Sequence, residues 1–163
     1  MDYSMSPISN EDRESIMDIF NHYIENSYAA YPETKLPYAA FDMFLKMSQG
    51  YPTAIVKDKN GRVIGFGMLR SHNPMATFAK TAEITYFILP DHTGKGIGSK
   101  LLNLLEEEGM KKGITNILAN ISSLNPRSIA FHKKNGFIEC GRFKSVGRKK
   151  GQLFDTVWMQ KML

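Results

Sequence analysis

The stretch DHTGKGIGSKLL, residues 91–102, puts glycine at 94, 96 and 98 directly before a leucine-rich helical pattern. Successive N–H groups without Cβ neighbours, at the positive end of a helix, form a cradle for an anion such as a pyrophosphate. Two other phosphate motifs do not fit. Counted from Gly94, a P-loop (GxxxxGK[ST]) needs glycine where Ser99 stands, and the dinucleotide fingerprint GxGxxG meets the same serine. The acidic ribose partner expected about 20 residues further on is also missing, because the chain there reads Thr115-Asn116-Ile117. A tight strand-to-helix turn accounts for one glycine. Three that alternate, in the basic half of the chain, point to a phosphate-bearing ligand. Residues 91–163 carry a net charge of +7 and residues 1–90 a net −2.

The other chemically suggestive groups are weaker signals. The basic segment GRKKGQ (147–152) lacks the aromatic platforms of a nucleic-acid site, so no nucleic-acid partner is expected. His22, His72, His92 and Cys140 show no metal-ligand spacing, so no metal is expected. The ten methionines read as core filling.

Elements must position the glycine loop. Ser9 or Asn10 caps a helix with Ile16, Ile19, Phe20 and Tyr23 at helical spacing. Residues 26–41 read as a loop into a short second helix. Residues 54–58 and 62–70 read as a hairpin around Asn60-Gly61. TAEITYFIL (81–89) is a strand ended by Pro90. A helix from Gly96 to Lys112 has an apolar face of Ile97, Leu101, Leu104, Leu105 and Met110, and Gly113 stops it. Residues 114–121 form a strand, Asn125 to Asn135 a helix, and Phe137 to Leu163 two strands joined by residues 147–152. The order predicts a mixed α/β fold with a strand–helix–strand unit across the glycine run. Length predicts a single domain over residues 1–163. No apolar stretch approaches the ~18 residues of a membrane span, so no membrane partner is expected. The acidic, polar first residues do not resemble a secretory leader, and a lone cysteine suits a reducing, cytoplasmic setting.

On these residues the chain resembles the GNAT acyl-CoA N-acetyltransferases. Their motif Q/R-x-x-G-x-G/A aligns with Thr93-Gly94-Lys95-Gly96-Ile97-Gly98, with Thr93 in place of the usual Gln or Arg. The pattern NPxSIxxHxxxGFxxxGxxxxVGRKxGxxxDxxxMQ, matched from Asn125 through Gln160, is similar to the branch that holds phosphinothricin and methionine-sulfone acetyltransferases. Ile19 to Tyr23 and Asn26-Ser27 also look like that branch, and Gln152-Leu153-Phe154 departs from its common Arg-Trp-Leu.

The resemblance implies a GNAT-like fold, with a central twisted mixed sheet of about six to seven strands flanked by about four helices. It implies direct transfer of acetyl from acetyl-CoA to the amino group of a small amino-acid-like acceptor, and a homodimer. Such an acceptor could be phosphinothricin, methionine sulfoximine or sulfone, or an amino acid. An amine must lose a proton before it attacks, and the thioester oxygen needs a hydrogen-bond donor as charge develops. Glu83, where the branch carries a catalytic glutamate, is the first candidate base. His132, where many relatives carry a tyrosine, is the candidate proton donor to sulfur. Phe87, Ile88 and Leu89 are expected along the pantetheine arm, with the Phe87 and Ile88 backbone as the oxyanion donor and a splay or bulge freeing its amides. Thr93, Gly94, Lys95, Gly96, Ile97, Gly98 and Ser99 are expected around the pyrophosphate, Asn125 beside the pantetheine amides, and Ser128 at the pyrophosphate arm or its water. Helix capping is the plain alternative for both Asn125 and Ser128. Tyr31, Glu33 and Tyr86 are expected at the acceptor, with Glu33 a second candidate base. Asp155 is expected to pair with the basic segment. A protein N-terminal or polyamine acetyltransferase would want an acidic groove that the sequence does not show. A non-catalytic acyl-CoA-binding module would bind coenzyme without turnover.

Overall fold

The computed structural model describes residues 2–163. Eleven elements follow one another: β1 (Tyr3–Ser6), α1 (Arg13–Asn26), α2 (Phe41–Met47), β2 (Thr53–Asp58), β3 (Val63–Ser71), β4 (Thr81–Ile88), α3 (Ile97–Lys111), β5 (Asn116–Ser122), α4 (Pro126–Lys134), β6 (Ile138–Lys149) and β7 (Gln152–Met162). The strands form one seven-stranded sheet in the order β1-β2-β3-β4-β5-β7-β6. Every neighbouring pair is antiparallel except β4 and β5. This is the mixed α/β sheet with four helices that the sequence predicts. β1 is the element it misses: four polar-flanked residues at an edge leave too short an alternation to read.

Strand alternation sends side chains to two cores. On one face Ala54, Val56, Ile84, Ile117, Ala119 and Val157 pack on α3 through Ile97, Leu101, Leu102 and Leu105. Each of the buried valines, leucines and isoleucines contributes about 1.5–3 kcal/mol. Leu102 is fully buried and Met110 is 49% exposed, so the apolar face of α3 is rotated from the expected one. On the other face Ile55, Phe66, Met68 and the partly buried Phe87 pack on α1 and α2 through Ile16, Met17, Phe20, Ile24, Phe41 and Phe44.

The parallel ladder sets up the site. β4 and β5 pair at Thr81↔Asn116, Ala82↔Ile117 and Glu83↔Leu118, and the pairing ends there. β4 continues along β3 to Ile88↔Gly65, while β5 continues along β7 to Ser122↔Thr156. Beyond Glu83 the sheet therefore opens like a V, by a splay; the β3–β4 register runs without a bulge. The basic segment 147–152 is mostly strand. Only Lys150 (φ 49°) and Gly151 (φ 75°) make the turn, the two-residue geometry with positive φ at both positions that suits a twisted hairpin.

Candidate active site

The V opens into a cleft of about 1290 Å³. Its walls are Glu83 to Ile88 of β4, Ala119 to Ser122 of β5, the glycine loop, the start of α4, and Ser27 to Pro32 after α1. Of the residues expected at the site, Glu83, Tyr86, Phe87, Ile88, Thr93, Gly94, Gly96, Gly98, Ser99, Asn125, Ser128, His132 and Tyr31 line this cleft. Leu89, Lys95, Ile97 and Glu33 do not. Leu89 donates its amide to Ile64 O at 2.8 Å and packs against both cores. Ile97 is buried under the sheet, and Lys95 turns toward the β2–β3 turn.

The three glycines do different work. Gly94 (φ +73°) and Gly96 (φ +80°) take left-handed backbone with open space where a Cβ would stand. A side chain there costs roughly 1–2 kcal/mol in conformation alone. Gly96 is the N-cap of α3 and brings no side chain to cap it, so the amides of Ile97, Gly98 and Ser99 have no intrahelical acceptor. These amides and the helix dipole face the cleft as an anion cradle. At Gly98 a Cβ would stand 3.2 Å from the Phe131 ring, so this glycine admits α4 beside α3.

The open edge of β4 presents alternate residues. Leu89 N–H bonds to Ile64 O on β3, and Lys80 O accepts from Thr115 N–H on the β5 side. With the continuous β3–β4 register, Thr85 and Phe87 turn their backbone groups to β3, and Ile84, Tyr86 and Ile88 turn theirs to the gap. Of the two amides expected as oxyanion donors, Ile88 faces the gap and Phe87 is engaged in the ladder. The Ile88 carbonyl accepts from the Tyr23 hydroxyl of α1.

Glu83 is 12% exposed and has both oxygens engaged, Oε1 with Arg70 Nη2 and Oε2 with His72 Nδ1, each at 2.9 Å. Arg70 is its direct cross-strand partner and also donates from Nε to Thr85 Oγ1 at 3.2 Å. Sequence reading missed this pairing, because the irregular residues 72–80 hide the β3–β4 register. On the other side of β4, Tyr86 turns to α4 and away from Glu83. His132 is 4% exposed, and its Nδ1 lies 2.7 Å from Ser128 O. A carbonyl only accepts, so Nδ1 carries the proton and Nε2 is left to accept from the Tyr86 hydroxyl at 2.7 Å. Burial lowers the His132 pKa against the partial support of the Ser128 carbonyl, and burial raises that of Tyr86 well above its ordinary value. The pair is neutral. Asn125 caps α4, with Oδ1 accepting from Ser128 N–H at 3.3 Å.

The wall after α1 is aromatic. Tyr31 stacks on Phe154, with centroids 5.4 Å apart, and donates its hydroxyl to Asn120 Oδ1. Burial pushes its pKa up to about 12. Glu33 turns outward and accepts the Lys150 amide at 3.0 Å. Asp155 accepts the Ser145 amide at 2.8 Å and lies 3.5 Å from Lys144 Nζ, so its cationic neighbour precedes the basic segment.

Among the described residues no group of three His, Cys, Asp or Glu could hold a metal ion, and no helix is long and apolar enough to cross a membrane. The sequence matches the acetyltransferase (GNAT) family over residues 14–137. The chain belongs to that family. It is an acetyl-CoA-dependent N-acetyltransferase, with acetyl-CoA as cosubstrate. An L-methionine sulfoximine/L-methionine sulfone acetyltransferase of Pseudomonas aeruginosa is 32% identical over 151 residues, covering 91% of this chain and 88% of that protein. An L-amino acid N-acyltransferase of Escherichia coli is 31% identical over 156 residues, covering 93% and 89%. The crystal structure of a phosphinothricin acetyltransferase from Sinorhizobium meliloti in complex with AcCoA superposes with a TM-score of 0.93 at 30% identity, covering 100% of this chain and 89% of that one.

Proposed function

We propose that this acetyltransferase acylates the α-amino group of a small amino-acid-like molecule, of the kind of methionine sulfoximine, methionine sulfone, phosphinothricin or a free amino acid. The supporting observation is the splay at Glu83. It sets a carboxylate, an unpaired strand edge and the anion cradle around one cleft. The coenzyme's pyrophosphate would sit on the amides of residues 97–99, near Thr93, Gly94 and Gly96. Its pantetheine amides would pair with the edge of Ile84, Tyr86 and Ile88, past Asn125 and Ser128. That edge mimics a missing strand and orients the thioester.

Glu83 takes a proton from the acceptor ammonium, and the free amine attacks the thioester carbon. The developing oxyanion falls to a gap-facing N–H toward the Glu83 end of this edge, because Ile88 lies five residues, about 16 Å, from Glu83 and next to the glycine loop. As the C–S bond breaks, the second nitrogen proton leaves and the coenzyme's sulfur ends as a thiol. His132 has no proton on its Tyr86 side and supplies none; it orients Tyr86, whose hydroxyl gives its proton to the thiolate and takes up the second nitrogen proton, while the proton held by Glu83 passes to water. Phe20, Phe44, Tyr31 and Trp158 give the acceptor side chain an apolar wall, and Arg70 is the cation beside Glu83.

The working unit is a single domain over residues 1–163, cytoplasmic and homodimeric. The edge strand β6 supports the dimer: its Ile138, Phe143 and Val146 are all more than half exposed, an edge that suits a second copy. The test is thiol release from acetyl-CoA across a panel of amines. Turnover with amino-acid-like amines bears the proposal out. Turnover only with peptide N-termini or polyamines, or coenzyme binding without turnover, overturns it.

A further inference from the structure

Lys149 is 1% exposed, at the far end of β6, and no step above uses it. A buried ammonium demands acceptors. Lys149 Nζ finds them at Ile24 O (2.7 Å), Ser27 O (2.8 Å) and Ala30 O (2.6 Å). Ile24 lies in the last turn of α1, where carbonyls lack helical donors and the dipole favours a cation. α1 carries no basic residue in that turn, so the cation comes from 125 residues further along the chain.

The neighbouring contacts run the same way. Lys150 gives its amide to Glu33 and its ammonium to Glu25 O. A Cβ at Gly147 would stand 2.1 Å from the Phe154 ring, so glycine there makes room for the ring on which Tyr31 stacks. The tip of the β6–β7 hairpin and residues 27–33 thus form one clamped unit. Ser27 to Pro32 of that unit line the cleft.

We infer that Lys149 is a positioning residue for the acceptor: its ammonium fixes the segment 27–31 against the hairpin and so sets the shape of the wall that receives the amine-bearing substrate. This rests on the reading that this wall takes the acceptor. Lys149 touches neither coenzyme nor reacting atoms. Without the cation the three carbonyls lose their donor and the segment loosens, while the glycine cradle and the β4 edge stay as they are.

The experiment is steady-state kinetics of Lys149→Met with the best acceptor from the amine panel, together with hydrogen exchange of the 27–33 amides. The expected result is a rise in acceptor KM of about tenfold or more, an unchanged KM for acetyl-CoA, and faster exchange confined to residues 27–33. Lys149→Arg keeps a cation in the same place and is measured alongside; it restores part of the acceptor KM and stands as the informative variant if Lys149→Met does not fold. Unchanged acceptor KM in the folded variants, or equal rises in both KM values with exchange raised throughout, overturns the inference. Failure of the acetyltransferase reading itself would look different, because the parent protein would then transfer no acetyl group to any amine.

Discussion

The two walls of the cleft are built in opposite ways. The coenzyme wall is backbone: the left-handed glycines 94 and 96, the first amides of α3, and alternate residues of an unpaired strand edge. The acceptor wall is side chain, a loop of tyrosines held by Asn120, Phe154 and Lys149, all remote in sequence. A backbone site binds what every acyl-CoA shares, a pyrophosphate and two amides, and tolerates drift in side chains. A site held by distant tethers can change its acceptor without disturbing the coenzyme. Substitutions should therefore separate the two walls kinetically.

The largest effect is expected between the walls. Glu83→Gln should lower kcat by about 10²–10⁴-fold with KM for acetyl-CoA retained, as measured by thiol release. Unchanged turnover would remove Glu83 as the base. On the coenzyme wall, Gly96→Val forces a β-branched residue to φ +80° and should raise the dissociation constant for CoA by about tenfold or more in calorimetry. An equal loss in acceptor affinity would show that the walls are not separable. Tyr86→Phe should cost about tenfold in kcat, and His132→Phe a similar factor, because each breaks the same hydrogen bond. The double variant should lose no more than either single one, and additive losses would contradict a shared role.

The smallest effect is on stability. Burial holds the His132 pKa below its ordinary value, so on acidification the unfolded chain takes up that proton first. Stability is then fully present above about pH 6.5 and declines as pH falls through the lower folded value. The urea midpoint of the parent should drop over that window more steeply than that of His132→Asn, and parallel curves would refute the assignment.

The same contrast explains what the sequence could reveal. The glycine loop, the strand before it and the helix after it are contiguous, so their spacing stated the geometry almost completely. Gly98 was the exception, because its neighbour Phe131 lies on another helix. Arg70 and His72 stayed hidden because strand register decides what faces Glu83, and an irregular connection sets that register. Glu33 looked like a pocket residue from its place after α1, but the clamp to Lys150 turns it outward. Tyr86 read as an acceptor contact beside Glu83, yet strand alternation puts successive odd and even residues on opposite faces. Lys149 reads in the sequence as one residue of a basic segment joining two strands, and it is among the most deeply buried side chains in the protein.

The central claim is that coenzyme completes the open sheet by pairing with alternate residues of β4. Amide NMR during titration with acetyl-CoA tests it most directly. The account predicts large shifts and exchange protection at Tyr86, Ile88 and Ile97 to Ser99, with Thr85 and Phe87 changing little because their amides already bond to β3. Equal shifts at odd and even residues of β4, or none at 97–99, would contradict it.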